Sequence, residues 1–240
     1  MGPASASSRR ERTRAATVEE IKRTALTLMR ESGAADVRFT DIARAMGLTP
    51  PALYRYFADR DELLTALVAD SFNSLSEALI ATRDAVPADD LGARLLATCS
   101  AYRSWALGDP QRFALIFGVP VPGYTAPPDG PTVEAGQRAI SHLASLVLDT
   151  ERLGRLGDPL VAPATSQFLE SAAERLAPFE GAVRPQTYQA LMLSWSAVHG
   201  FVSLEAYGHF GWADQATRDQ LFTAQVRMAA GVAGLVPPEA

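Results

Sequence analysis

Cysteine is almost missing from this sequence: Cys99 stands alone among 240 residues. That excludes an intramolecular disulfide and any cysteine-rich zinc site, and it suits a reducing compartment, so a cytoplasmic location is expected. Histidine is nearly as scarce, with His142, His199 and His209 scattered along the chain. No His-Glu-x-x-His pattern, Gly-x-Ser-x-Gly elbow or glycine-rich phosphate loop accompanies them. Neither an enzyme nor a metal sensor is therefore expected, and no cofactor. Charge or polarity breaks every apolar stretch before the roughly 18 residues that a membrane span needs, so no membrane partner is expected. The polar, basic opening leads into Thr17-Val18-Glu19-Glu20 rather than into an apolar run, which argues against a signal peptide.

The net charge of -5 first speaks against nucleic acid, but its distribution reverses that impression. Residues 1–70 carry eleven basic against ten acidic side chains, and the remainder eleven against seventeen. Four of the basic ones, Arg9, Arg10, Arg12 and Arg14, crowd into residues 1–16, which lack an apolar period and are expected to form a disordered basic arm able to neutralise phosphates.

What the sequence does contain is helix after helix. Val18, Ile21, Ala25, Leu28 and Met29 recur at spacings of three and four, Thr17 with Glu20 reads as a capping box, and Ser32-Gly33 as the stop. A short second helix follows Thr40, running from Asp41 to Met46. Gly47 permits a left-handed turn, Leu48 and Leu53 are placed to plug the angle, Thr49 can cap again, and Pro50 suits the first position of a third helix reaching Phe57. Asp59 and Glu62 open a long helix of about five turns that links this head to a body. In the body, helices are expected over Asp89–Leu107, Pro110–Phe117, Pro131–Leu153, Leu160–Leu176, Pro185–Tyr207 and Asp214–Ala230, with a proline- and glycine-rich loop over Gly118–Gly130 carrying Val119, Val121 and Tyr124, which are expected to be exposed. The expected fold is all-α. A three-helix helix-turn-helix head (17–62) precedes a helical effector-binding and dimerisation body (63–240).

A helix in the major groove packs one side against its partner and offers the other to base edges. Leu53 and Phe57 face inward at a four-residue spacing, leaving Thr49, Pro51, Ala52, Arg55 and Tyr56 for the groove side or its rim. Arg55 can bind guanine bidentately or hold a phosphate, and Pro51 and Ala52 can touch a thymine methyl. Tyr54 and Tyr56 carry hydroxyls that reach phosphate, unless Tyr54 belongs to the core; Thr40 and Arg60 can also meet the backbone. The expected partner is double-stranded operator DNA.

Residues 18–67 resemble TetR-type repressors. The resemblance rests on Thr40, Ile42, Ala43, Gly47, Leu48, Thr49, Leu53, Tyr54, Phe57, Arg60, Glu62 and Leu63. Pro51, Tyr56 and Arg60 depart from the commonest family residues, so no operator sequence carries over. In the body, Trp195, His199 and Gly200 resemble a subgroup with a Trp-His-Gly signature, and Asp109-Pro110 with Phe113, Phe117 and Gly118 resembles its upstream segment. The resemblance implies a homodimer built on the last two long helices, a palindromic operator, and a cavity for a small-molecule effector that releases the repressor. Candidate lining residues are Trp105, Phe113, Phe117, Tyr124, Phe168, Trp195 and His199, which suit an apolar or amphipathic ligand. Two alternatives remain open: a DNA-binding activator or regulator without small-molecule control, and a helical protein-interaction module.

Overall fold

The structure is a computed structural model that describes residues 4–33, 37–158, 160, 165–176 and 184–235. Those residues form ten α-helices and connecting turns, with no strand among them. The helices are α1 (Ala4–Ser32), α2 (Phe39–Ala45), α3 (Pro50–Leu53), α4 (Arg60–Asp84), α5 (Leu91–Gly108), α6 (Pro110–Phe117), α7 (Pro131–Arg152), α8 (Ser166–Leu176), α9 (Pro185–Ala206) and α10 (Gln215–Ala233). Part of the helix expected over 160–176, residues 161–164, lies outside the described residues.

Several boundaries follow from local chemistry. Asp59 accepts a hydrogen bond from the Glu62 backbone N–H at 2.8 Å while the Glu62 carboxylate receives the Ala58 N–H, a reciprocal cap at the start of α4. Asp109 caps α6 by accepting from the Arg112 N–H, and Asp214 caps α10 by accepting from the Thr217 N–H. Proline stands at the first helical position of α3, α6, α7 and α9, where its missing donor costs nothing.

Two expectations fail at the amino terminus. The arm is not disordered from residue 4 onward: it continues α1, so that the first helix runs 29 residues. Thr17 is no cap, because its Oγ1 donates to the Thr13 carbonyl one turn back, and Thr13 does the same to Arg9. A threonine that bonds inside the helix offers no stop signal.

The chain divides into two compact units, and the division falls inside α4 and inside α7. It differs from the expected one after residue 62. The first unit joins Met1–Ser74 to Asp109–Gln137. Its core gathers Ile21, Met29, Ile42, Leu53, Phe57 and Leu64, and Val121 of the proline-rich loop, expected to be exposed, belongs to the same cluster. Each fully buried leucine of this kind contributes roughly 1.5–3 kcal/mol. The returning stretch is tied in by polar contacts as well: Tyr124 Oη and Thr65 Oγ1 lie 3.0 Å apart, Arg30 reaches Asp109 at 3.5 Å, and Arg112 donates to the Asp70 carbonyl. Lys22 bridges α1 to α4 through Asp70 at 2.6 Å and also pairs with Glu19. Burial works against its charge, but the hydrogen bonds to the two carboxylates more than offset this and raise its pKa.

The second unit comprises Leu75–Gly108 and Arg138–Ala240, with α9 against α10 as its main pair. An ion cluster with a buried centre ties three of its helices together. Arg103 of α5 donates through two nitrogens to both oxygens of Glu205 on α9 at 2.6 Å, and to Asp219 of α10 at 2.7 Å, while its guanidinium lies 4.8 Å from the Phe222 ring centre. The Glu205 bonds raise the Arg103 pKa further, and the Arg103 bond lowers that of Asp219. Glu205 thus serves packing between helices.

Among the described residues α4 is the one helix long and apolar enough to cross a bilayer, and half of that apolar stretch is buried inside the protein. Leu63, Leu64, Leu67, Leu75 and Leu79 are covered by protein neighbours, so its hydrophobicity is used in packing.

Candidate nucleic-acid interface and effector cavity

The amino-terminal interface is built on a tight corner. Gly47 adopts φ +65°, a left-handed conformation that glycine takes without penalty, and the Leu48 N–H returns to the Ala43 carbonyl at 2.8 Å. Ala43 is fully buried, so α2 and the following segment approach closely. Leu48, expected to plug the corner, stands at the surface; Ile42 and Leu53 fill that place. Thr49 is extended as the N-cap residue of α3 but makes no side-chain cap, and Arg38 rather than Thr40 holds the N-cap position of α2.

The third element is shorter than its hydrophobic spacing suggests. Two prolines open it, helix covers only Pro50–Leu53, and the chain then continues as turns in which the N–H groups of Tyr56 and Phe57 both return to the Leu53 carbonyl. Leu53 and Phe57 are buried, as their spacing requires. Thr40, Thr49, Pro51, Tyr54 and Arg55 are exposed; Ala52, Tyr56 and Arg60 are half-buried. Tyr54 is 57% exposed, yet its ring leans on buried Phe39 at 5.1 Å between centroids, so packing steadies an outward-standing side chain. Arg60 pairs with Asp61 at 3.6 Å. Arg14, expected in a disordered arm, is instead fixed against the recognition segment: its Nη1 donates to the Arg55 carbonyl at 2.8 Å and its guanidinium lies 5.3 Å from the Tyr56 ring centre.

The expected effector lining is divided between the two units. Phe113, Phe117 and Tyr124 belong to the first unit, where the Phe113 and Phe117 rings meet tilted with centroids 5.5 Å apart and Phe117 meets Phe72 edge-on. Trp105, Phe168, Trp195 and His199 belong to the second, and there Phe168 packs on Tyr188. Trp195 alone of the seven lines the cavity of about 190 Å³ that α5, α7, α9 and α10 leave between them. Its other walls include Leu95, Cys99, Tyr102, Ala144 and Val198. Cys99 and Tyr102, three apart on α5, share a face with this cavity; that spacing was readable, but nothing in it distinguished a cavity wall from core.

No lining side chain bears a charge. Burial pushes the Cys99 thiol up to about 12, so it stays protonated. Burial likewise raises the Tyr102 phenol well above its ordinary value. Behind it, Tyr102 Oη and His199 Nδ1 lie 2.6 Å apart, His199 stacks on Trp195 at 5.0 Å, and Ser203 Oγ lies 3.4 Å from His199 Nε2. Burial lowers the His199 pKa and so favours its neutral ring. An apolar void of roughly 150 Å³ stays dry and takes a benzene-sized guest. This one is suited to a compact uncharged group.

Comparison with known proteins places both regions. Residues 14–67 match the family profile described as bacterial regulatory proteins, tetR family, and residues 95–229 match a tetracyclin repressor-like C-terminal domain. The HTH-type transcriptional regulators Rv1816 of Mycobacterium tuberculosis and Mb1846 of Mycobacterium bovis are each 35% identical over 84% of this chain and 86% of theirs. Among solved structures, the regulatory protein SCO4313 is 32% identical, with a TM-score of 0.70 over 92% of this chain and 98% of its own. A Rhodococcus sp. RHA1 protein of unknown function shares the fold at 23% identity and a TM-score of 0.62 over 87% and 93%.

Proposed function

The chain belongs to the TetR family of DNA-binding transcriptional regulators, and on that premise we propose that it is a repressor that a small apolar or amphipathic ligand releases from a palindromic operator. The observation that carries this reading is the exposed row Thr49, Pro51, Tyr54 and Arg55 on a corner locked by buried Ile42, Ala43, Leu53 and Phe57. Side chains that contribute little to folding are held rigidly outward, as groove recognition requires. Thr40, Ala52, Tyr56 and Arg60 border the same face and complete the proposed contact set.

The protein acts in the cytoplasm, where its DNA is, and as a homodimer. Leu193 and Leu204 of α9 and Leu221 and Met228 of α10 are exposed on the unit's main helix pair, which supports a two-fold contact there. The Trp195, His199 and Gly200 signature supports placing the body in the Trp-His-Gly subgroup, its tryptophan lining the cavity and its histidine fixing Tyr102. Release follows from linkage. Helix α4 begins in the first unit and ends in the second, so a ligand that prefers one disposition of the body shifts the population of dimers whose heads span major grooves about 34 Å apart.

Selection from random duplex DNA tests the first half: enrichment of an inverted repeat is expected, and indifference to any duplex at low ionic strength overturns it. Titration of the bound repeat with compact hydrophobic compounds tests the second. Unchanged DNA affinity with ligand demonstrably in the cavity removes the release step.

A further inference from the structure

Helix α1 begins ten residues before position 14, where the match to the family's DNA-binding profile starts. At 1.5 Å per residue this extension projects about 15 Å. Helical spacing places Arg9 below Thr13 and Arg10 below Arg14 on one side. That side faces the end of the recognition segment, and Arg9, Arg10, Thr13, Arg14, Arg55 and Tyr56 enclose an open recess. Arg14 fixes the corner through the Arg55 carbonyl and the Tyr56 ring.

The charge in this recess is uncompensated. Elsewhere in the same unit Arg30, Arg44, Arg60 and Arg112 each have a carboxylate within 4 Å. Among the described residues Arg9, Arg10, Arg14 and Arg55 have none. Four exposed guanidiniums around one recess, with no carboxylate beside them among the described residues, suit a phosphate backbone that offers acceptor oxygens along its length.

We propose that the recess is a phosphate clamp, in which the helical arm and the recognition segment together grip the sugar-phosphate backbone of the duplex. It assigns Arg55 to phosphate rather than to a guanine edge, and it rests on the DNA-binding reading above. The arm is positioned before DNA arrives, so the clamp binds without first ordering a disordered tail. Phosphate groups could also come from a free small anion, and the test separates the two sources.

The full chain is titrated with a labelled duplex of mixed sequence between about 50 and 200 mM salt. Binding by the unaltered protein tests the DNA-binding reading itself; the clamp is tested by the difference between variants. Arg9→Ala with Arg10→Ala removes two phosphate contacts per protomer, four per bound dimer, and lowers the slope of log K against log salt by about 3.6, whereas Arg9→Lys with Arg10→Lys keeps it. Alanine favours helix, so circular dichroism should show the arm still folded. An unaltered slope in the alanine pair overturns the clamp. Arg55→Ala is expected to weaken every duplex alike, and relaxed preference at a single base pair overturns its phosphate assignment. In the absence of DNA, phosphorus NMR with inorganic pyrophosphate should show no saturable binding. Saturable binding that the alanine pair abolishes, with the DNA slope unchanged, would make the recess a small-anion site instead.

Discussion

The first unit keeps its proposed contact side chains outside its core, whereas the second keeps its cavity walls within. In the first, one apolar cluster runs from Ile21 to Val121, and the row proposed to face the groove stands clear of it, with Tyr54 more than half exposed. In the second, Trp195, Tyr102 and Val198 are at once packing residues and walls of the cavity, and the buried ion cluster on Arg103 joins the helices beside them. Recognition in the head can therefore change with little effect on stability, while in the body the two move together.

The sharpest test of this contrast is Arg103→Ala. Removing Arg103 leaves buried Glu205 with only the longer contact to Arg218 at 3.8 Å, so the body should lose up to about 3–5 kcal/mol, and replacing both Arg103 and Glu205 by apolar residues of similar size should recover most of it. All three tryptophans, Trp105, Trp195 and Trp212, lie in the second unit, so the denaturant midpoint of tryptophan fluorescence reads this loss directly. Next in size, Leu53→Ala should cost the head roughly 2–5 kcal/mol and abolish duplex binding. Hydrogen exchange should quicken across residues 17–74 while the tryptophan transition moves little. An equal shift in that transition would show the two units unfolding as one and erase the distinction.

A smaller effect is expected at the surface. Tyr54→Phe removes a hydroxyl proposed to meet phosphate and should weaken operator binding by about 1 kcal/mol, with stability unchanged within about 0.5 kcal/mol. A comparable loss of stability would mean that Tyr54 belongs to the core after all. The subtlest effect concerns acidity. Burial holds the folded-state pKa of His199 below its ordinary value of 6.5, so the unfolded chain takes up the proton first. This contribution to the body's stability is complete above pH 6.5 and is lost as pH falls through the folded value. His199→Gln should flatten that part of the pH profile of the tryptophan transition, and an unchanged profile removes the assignment.

Much of the architecture could be read directly from residues. Asp59 and Asp214 announced helix starts because a short carboxylate beside free N–H groups does one thing well, and Gly47 announced the corner because its conformation suits few other residues. Thr17 misled for the converse reason: its hydroxyl bonds equally well one turn back inside a continuing helix. Aromatic character marked Phe113, Phe117, Tyr124 and Trp195 as candidate cavity lining, but it says nothing about which core receives them. Three of the four went to the first unit because the proline-rich loop carries Val121 and Tyr124 to the head, a non-local contact with no local signature. The cavity was hidden more deeply still. A void is what side chains fail to fill, and its walls, such as Cys99 and Ala144, have the composition of ordinary core.

The head is also interrupted in sequence: Asp109–Gln137 returns to complete it after the chain has entered the body. Shuffling DNA-reading modules between related regulators by a single crossover near residue 74 would leave the transplanted head with an empty socket where Val121 and Tyr124 belong. Working hybrid sensors built from this scaffold would need a second crossover pair around the returning stretch, so that the head is inherited in two pieces.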